Sequence, residues 1–126
     1  MSKPKVYLAG PISFRDSWHP YVKFHLNEVG ILGISPILRM RESDKNSATI
    51  KQNRFRMMSC DIVLFNFLGV GSYMTYVELG WADAFQKPSI VVLPPDDVKE
   101  VAEEICGWRT NSIDDAIRII GETLLS

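Results

Sequence analysis

The chain has few cysteines, and those it has are poorly placed for a framework. Cys60 and Cys106 show no C-x-x-C spacing, which argues against a zinc site or a disulfide scaffold. No apolar run reaches the roughly 18 residues of a membrane-spanning helix, and the short basic start "MSKPK" is followed by no apolar core that would make it a targeting segment. The expectation is a cytoplasmic chain with no membrane partner. Excess positive charge is also missing: the formal net charge is −1. A domain whose main partner is a nucleic-acid polymer is usually strongly basic, so none is expected, although a small phosphorylated ligand needs only a local site. No P-loop, G-x-G-x-x-G or G-x-S-x-G occurs. His19 and His25 lack acidic or cysteine neighbours at metal-ligand spacing, so no metal is expected.

What is present is an ordinary globular balance, 46% hydrophobic and 23% charged over 126 residues. It suits a single domain, residues 1–126, with one sizeable core. "KVYLAG" (5–10) reads as a buried strand stopped by Gly10-Pro11. Residues 16–30 read as a helix with Pro20 in its first turn, Tyr21, Phe24 and Leu26 on its apolar face and Gly30 as C-terminal cap. "ILGISPI" (31–37) can be a strand, 38–48 a polar loop, and about 49–59 a helix. "DIVLFNF" (61–67) is the clearest strand, apolar enough to be covered on both faces. A helix opens near Ser72, and "KPSIVVLPP" (87–95) is another buried strand. Helices follow at 96–106 and 112–125, with "GWRT" (107–110) as a weak edge strand. This alternation, with no repeat and no linker, predicts an α/β domain with about five mostly parallel strands flanked by helices. Ligands of such sheets bind beyond the carboxyl ends of strands, where the strand order reverses.

One residue breaks the pattern. Glu78 shares a helix face with Met74, Trp81, Ala82 and Phe85, all apolar. "TYVE" (75–78) offers a plain explanation, a capping box with Thr75 as N-cap and Glu78 at the third helical position. The other explanation is catalysis. Trp81 and Phe85 read as core residues, and the glycines of "LGVGS" (68–72) permit close backbone approach to a ligand.

Three segments together, "VYLAGPIS" (6–13), "CDIVLFNF" (60–67) and "SYMTYVELGWADAFQKPSIVVL" (72–93), resemble the nucleoside 2-deoxyribosyltransferase family. Its superfamily includes 2′-deoxynucleoside 5′-monophosphate N-glycosidases and hydroxymethyl-CMP hydrolases. The resemblance runs from Lys5 to about Leu93 and implies a flavodoxin/Rossmann-like sheet, cleavage or transfer at an N-glycosidic bond, and no metal or organic cofactor. It assigns Glu78 as the nucleophile and Tyr7 as a catalytic neighbour. Gly10, Pro11 and Ile12 match the loop lining the sugar and base. Ser72, six residues before Glu78, matches the serine that meets the 5′-phosphate in the monophosphate hydrolases, where transferases of free nucleosides have an aspartate. Arg15 could supply positive charge, with Arg39, Arg41 and Arg54 as rivals. A helix N-terminus would help keep the nucleophile ionised. The family habit of completing the pocket with a neighbouring subunit implies a homo-oligomer, a dimer or a multiple of one.

Two positions depart from the family pattern. Met74 stands where relatives usually have glycine, and would crowd the sugar pocket or bend the loop. Asn53 stands in the region where many relatives carry an aspartate that helps protonate the leaving base; an asparagine can hydrogen-bond the base but cannot act as an acid. The sequence therefore points to an enzyme acting on a (deoxy)nucleoside 5′-monophosphate. The alternatives are a transferase of free nucleosides and a non-catalytic nucleotide-binding or sensor domain.

Overall fold

The computed structural model describes residues 2–10, 15–37, 47–68, 73–93 and 107–125. Among these, five strands form one sheet: β1 (Lys5–Ala9), β2 (Leu32–Ile34), β3 (Ile62–Asn66), β4 (Ser89–Val92) and β5 (Trp108–Thr110). The order is β2-β1-β3-β4-β5, and every neighbouring pair is parallel. The helices are α1 (Arg15–Glu28), α2 (Ser47–Met58), α3 (Tyr73–Ala84) and α4 (Ile113–Leu125). The expected α/β class is present, with a sheet that is wholly parallel. The helix expected at 96–106 lies outside the described residues, and none of the described helices is long and apolar enough to cross a membrane.

Side chains alternate across the sheet with period two. Val6, Leu8, Ile62, Leu64, Ile90 and Val92 form one core layer with Trp18, Val22 and Leu26 of α1 and Ala116 and Ile120 of α4. Tyr7, Ala9, Val63, Phe65, Val91 and Leu93 form the other, with Met57 of α2 and Leu79 and Ala82 of α3. Strands buried on both faces must be apolar at successive positions, which is why 5–9 and 61–67 read so plainly.

The apolar face expected of α1 is rotated. Tyr21 and Phe24 point outward, Phe24 at 63% exposure, and the buried stripe is Trp18, Val22 and Leu26. The four-residue spacing of that stripe follows the 3.6-residue period, whereas the exposed aromatics lie between its rows. Pro20, expected in the first turn, is the sixth helical residue and is exposed. Gly30 caps the helix as expected: its φ is 83°, Ile31 N–H donates to the Leu26 carbonyl and Gly30 N–H to that of Asn27. These are the two bonds of a Schellman ending, which favours glycine.

The chain moves outward from β1 to β2, then crosses to β3 on the opposite side of β1. The strand order therefore reverses between β1 and β3, and the crevice beyond their carboxyl ends is where ligands of such sheets bind.

Candidate active site

Tyr7 is the third residue of β1 and faces the layer beneath α2 and α3. Glu78 comes down from α3 onto the same layer. The Tyr7 hydroxyl donates to Glu78 Oε2 at 2.5 Å, joining residues 71 apart in sequence. Tyr7 has no exposed surface and Glu78 is 6% exposed. Tyr7 packs in an apolar layer with Val63, Phe65, Leu79, Ala82 and Val91.

Burial penalises a carboxylate and hydrogen bonding to it favours it. Here burial wins: it pushes the Glu78 carboxyl up to about 7, against the opposing pull of the Tyr7 bond. Burial, followed by the nearby Glu78 charge, drives the Tyr7 phenol well above its ordinary range, so Tyr7 stays a donor. The help expected from a helix N-terminus in keeping Glu78 ionised is weak at this position. Glu78 is the sixth residue of α3, and the dipole acts mainly within the first turn.

The capping-box explanation is also overturned. The helix begins at Tyr73, so Thr75 is its third residue and fully buried rather than an N-cap. Among the described residues, the partner of Glu78 is on a strand across the layer: its Oε2 accepts from Tyr7. Trp81 is half-buried and packs on the core, as expected. Met74, expected to crowd the sugar pocket or bend the loop, is the second residue of α3, and the loop before it lies outside the described residues. Methionine is a good helix former where glycine is poor, and residue 74 lies in regular first-turn helix.

Gly10 ends β1 at the switch point. A Cβ there would stand 2.8 Å from Trp18 Cζ2 and 3.1 Å from the Asn66 carbonyl oxygen. The bare backbone thus lets β1, β3 and α1 close together at the carboxyl edge. Pro11, Ile12 and Ser72 lie outside the described residues, as do the Arg15 side chain and Arg39 and Arg41. Of the other cations, Arg54 is half-buried on α2, and Arg56 donates to the Ser35 carbonyl at 3.2 Å.

Asn53 is buried on α2, but the structure gives it another partner. Its Oδ1 accepts from Ile37 N–H at 2.6 Å and its Nδ2 donates to the Ile37 carbonyl at 3.1 Å. It pairs like a strand neighbour with the segment after β2, so its amide is already engaged at both ends. Asp61, expected to start a strand, accepts from the Lys5 backbone N–H at 2.7 Å across the opposite edge of the sheet. Cys60 is a free thiol pushed up to about 11 by burial, so it stays protonated at neutral pH.

The sequence reading missed three groups near the switch point. Asn66, at the end of β3, accepts from Leu68 N–H at 3.0 Å and shapes the turn leaving that strand. His19 Nδ1 and Ser35 Oγ pair at 2.8 Å, tying α1 to the segment after β2. The buried Trp18 Nε1 has no hydrogen-bond partner among the described residues. Only the rule placing ligands at strand ends could have drawn attention to them.

No family model matches the chain, and no curated protein matches it either. Solved structures do. A 2-desoxiribosyltransferase from Leishmania mexicana superimposes with a TM-score of 0.72 at 14% identity, covering 94% of this chain and 97% of that one. A CMP N-glycosidase from Clostridium botulinum superimposes with a TM-score of 0.65 at 16% identity, covering 95% and 99%. The chain therefore shares its fold, over nearly its whole length, with a deoxyribosyltransferase and an N-glycosidase, in agreement with the family that its three segments resemble.

Proposed function

We propose that this chain breaks the N-glycosidic bond of a nucleoside 5′-monophosphate, with Glu78 as nucleophile. The observation that carries this reading is a carboxylate buried on an apolar layer and held at 2.5 Å by Tyr7. A protein core has no structural need for such a group, and burying it is costly. Both solved neighbours, by name, handle a bond between base and sugar.

The ionised Glu78 attacks C1′ of the sugar as the C1′–N bond breaks, and the bonding pair leaves with the base. The base takes its proton from solvent, because Asn53 is not an acid and its amide is paired with Ile37. The glycosyl ester on Glu78 is then opened at C1′ by water, or by a second base in a transfer. Either step returns the carboxylate. Tyr7 holds one carboxylate oxygen and thereby orients the other. The apolar layer around Tyr7 limits access of water to the ester.

The phosphate assignment rests on Ser72, which directly precedes the first residue of α3 in the chain. A hydroxyl can donate to a phosphate, whereas an aspartate would repel it. Ser72→Asp is expected to lower kcat/KM for the monophosphate by about tenfold or more, since a charge-assisted hydrogen bond contributes roughly 1.5–3 kcal/mol. Activity on the matching free nucleoside should not fall. Steady-state kinetics on both substrates checks this. A wild type that handles the free nucleoside as well as the monophosphate would make the chain a free-nucleoside transferase instead.

The working form we propose is a homo-oligomer, paired through the outer surface of α2 and α3. Phe55 of α2 is 71% exposed, Ile50 of the same helix is exposed too, and Tyr76 and Val77 are exposed on α3. Light scattering at micromolar concentration should give at least a dimer, and Phe55→Glu should shift it towards monomer. A wild-type monomer under those conditions would contradict the assignment.

A further inference from the structure

We propose that two copies of this chain recognise each other by a reciprocal fit, Phe55 of α2 entering a hollow over Gly80 on a second copy's α3; this rests on the homo-oligomer proposed above. Both helices cover the same layer of the sheet. α2 buries Asn53 and Met57 and leaves Lys51 and Phe55 exposed, Phe55 at 71%. A large aromatic on a helix exterior is the kind of residue that anchors interfaces. α3 buries Thr75, Glu78, Leu79 and Ala82, and leaves Tyr76, Val77, Gly80, Asp83 and Ala84 exposed. Glycine is unfavourable inside a helix, and no packing within the chain calls for it here. Among the described residues, nothing stands within 4 Å of where a Cβ on Gly80 would be. Tyr76 and Ala84 lie one turn to either side on the same face, so the missing side chain leaves a hollow between them.

Charge selects the same pairing. Over Ser47–Met58, α2 carries Lys51, Arg54 and Arg56 and no carboxylate. Over Tyr73–Ala84, α3 carries Glu78 and Asp83 and no cation. Glu78 is turned inward onto Tyr7, so Asp83 supplies the exposed charge of α3. Two copies of α2 laid against each other would oppose like charges. α2 laid against α3 of a second copy brings opposite charges together around the ring and the hollow. One chain offers both the knob and the hollow on one face. A two-fold pair uses each of them once per copy and closes, without exposing either for further growth.

The test is complementation between two variants, read by sedimentation velocity over a range of concentrations. Phe55→Ala removes the knob, and Gly80→Leu fills the hollow. Leucine is a strong helix former and meets no neighbour at that position within the chain, so the fold should persist, as circular dichroism checks. Each variant alone should self-associate at least about tenfold more weakly than wild type. Mixed in equal amounts, the two should pair again. One contact then keeps the ring over glycine, and in the other the added leucine fills the space the ring has left. The mixture should recover most of the lost affinity. A mixture no tighter than either variant, or a variant as tight as wild type, overturns the contact between Phe55 and Gly80 and leaves the homo-oligomer standing. A wild-type monomer throughout the range overturns the homo-oligomer and this inference with it.

Discussion

Glu78→Gln is expected to stop turnover and, above neutral pH, to make the protein more stable. Glutamine fills the same volume and can still accept from Tyr7, but its amide cannot attack C1′. The loss of kcat should be roughly 10⁴-fold or more, as for removal of other enzymic nucleophiles. The stability gain follows from the burial of the carboxyl. The folded protein holds the Glu78 proton with a pKa of about 7 against 4.5 for the ordinary group. The protonated carboxyl thus contributes stability that is fully present below about pH 4.5 and lost as pH rises through about 7. That difference corresponds to at most on the order of 3 kcal/mol. Glutamine stays neutral at every pH and avoids the loss. Melting curves at pH 5 should therefore nearly coincide, while at pH 8 the variant should melt higher, by up to on the order of 10 °C. Retained turnover would remove Glu78 from the chemistry. A variant less stable at pH 8 would show that the carboxylate is well accommodated by its surroundings.

Tyr7→Phe should move the pH dependence of catalysis. In the wild type, kcat/KM is expected to rise with pH through about 7 as Glu78 ionises. The substrate phosphate has its own second ionisation near pH 6, so the wild-type profile alone does not isolate Glu78. The variant does. Removing the hydroxyl deletes the bond that draws the Glu78 pKa down, and the acid limb should shift to higher pH. At pH 7 the rate should fall by about tenfold or more, with part of the loss recovered at pH 9. The ring remains in the layer with Ala9, Val63 and Phe65, so the fold should persist. If Tyr7 served only as packing, neither the limb nor the rate would move.

The sheet was legible in the sequence because strands covered on both faces carry apolar residues at successive positions, as 5–9 and 62–66 do. The helix faces were less so. In α1, apolar residues fall on both sides, and only packing against β1 and β3 selects Trp18, Val22 and Leu26 over Tyr21 and Phe24. Glu78 stood out as a charge on an apolar stripe, yet "TYVE" gave two explanations. The choice needed a partner 71 residues away, the Tyr7 hydroxyl. Asn53 shows the opposite limit. Its position matched a base-binding role, but its amide pairs with the Ile37 backbone, a contact set by how the segment after β2 meets α2. Side-chain type and spacing do not encode such a meeting.

The most direct test of the central claim is chromatography of a panel of nucleosides and nucleoside 5′-monophosphates incubated with the wild-type protein. The account predicts free base released from at least one monophosphate, faster than from its nucleoside, and none with Glu78→Gln. A panel left intact by the wild type, or free base released equally well by Glu78→Gln, would contradict it.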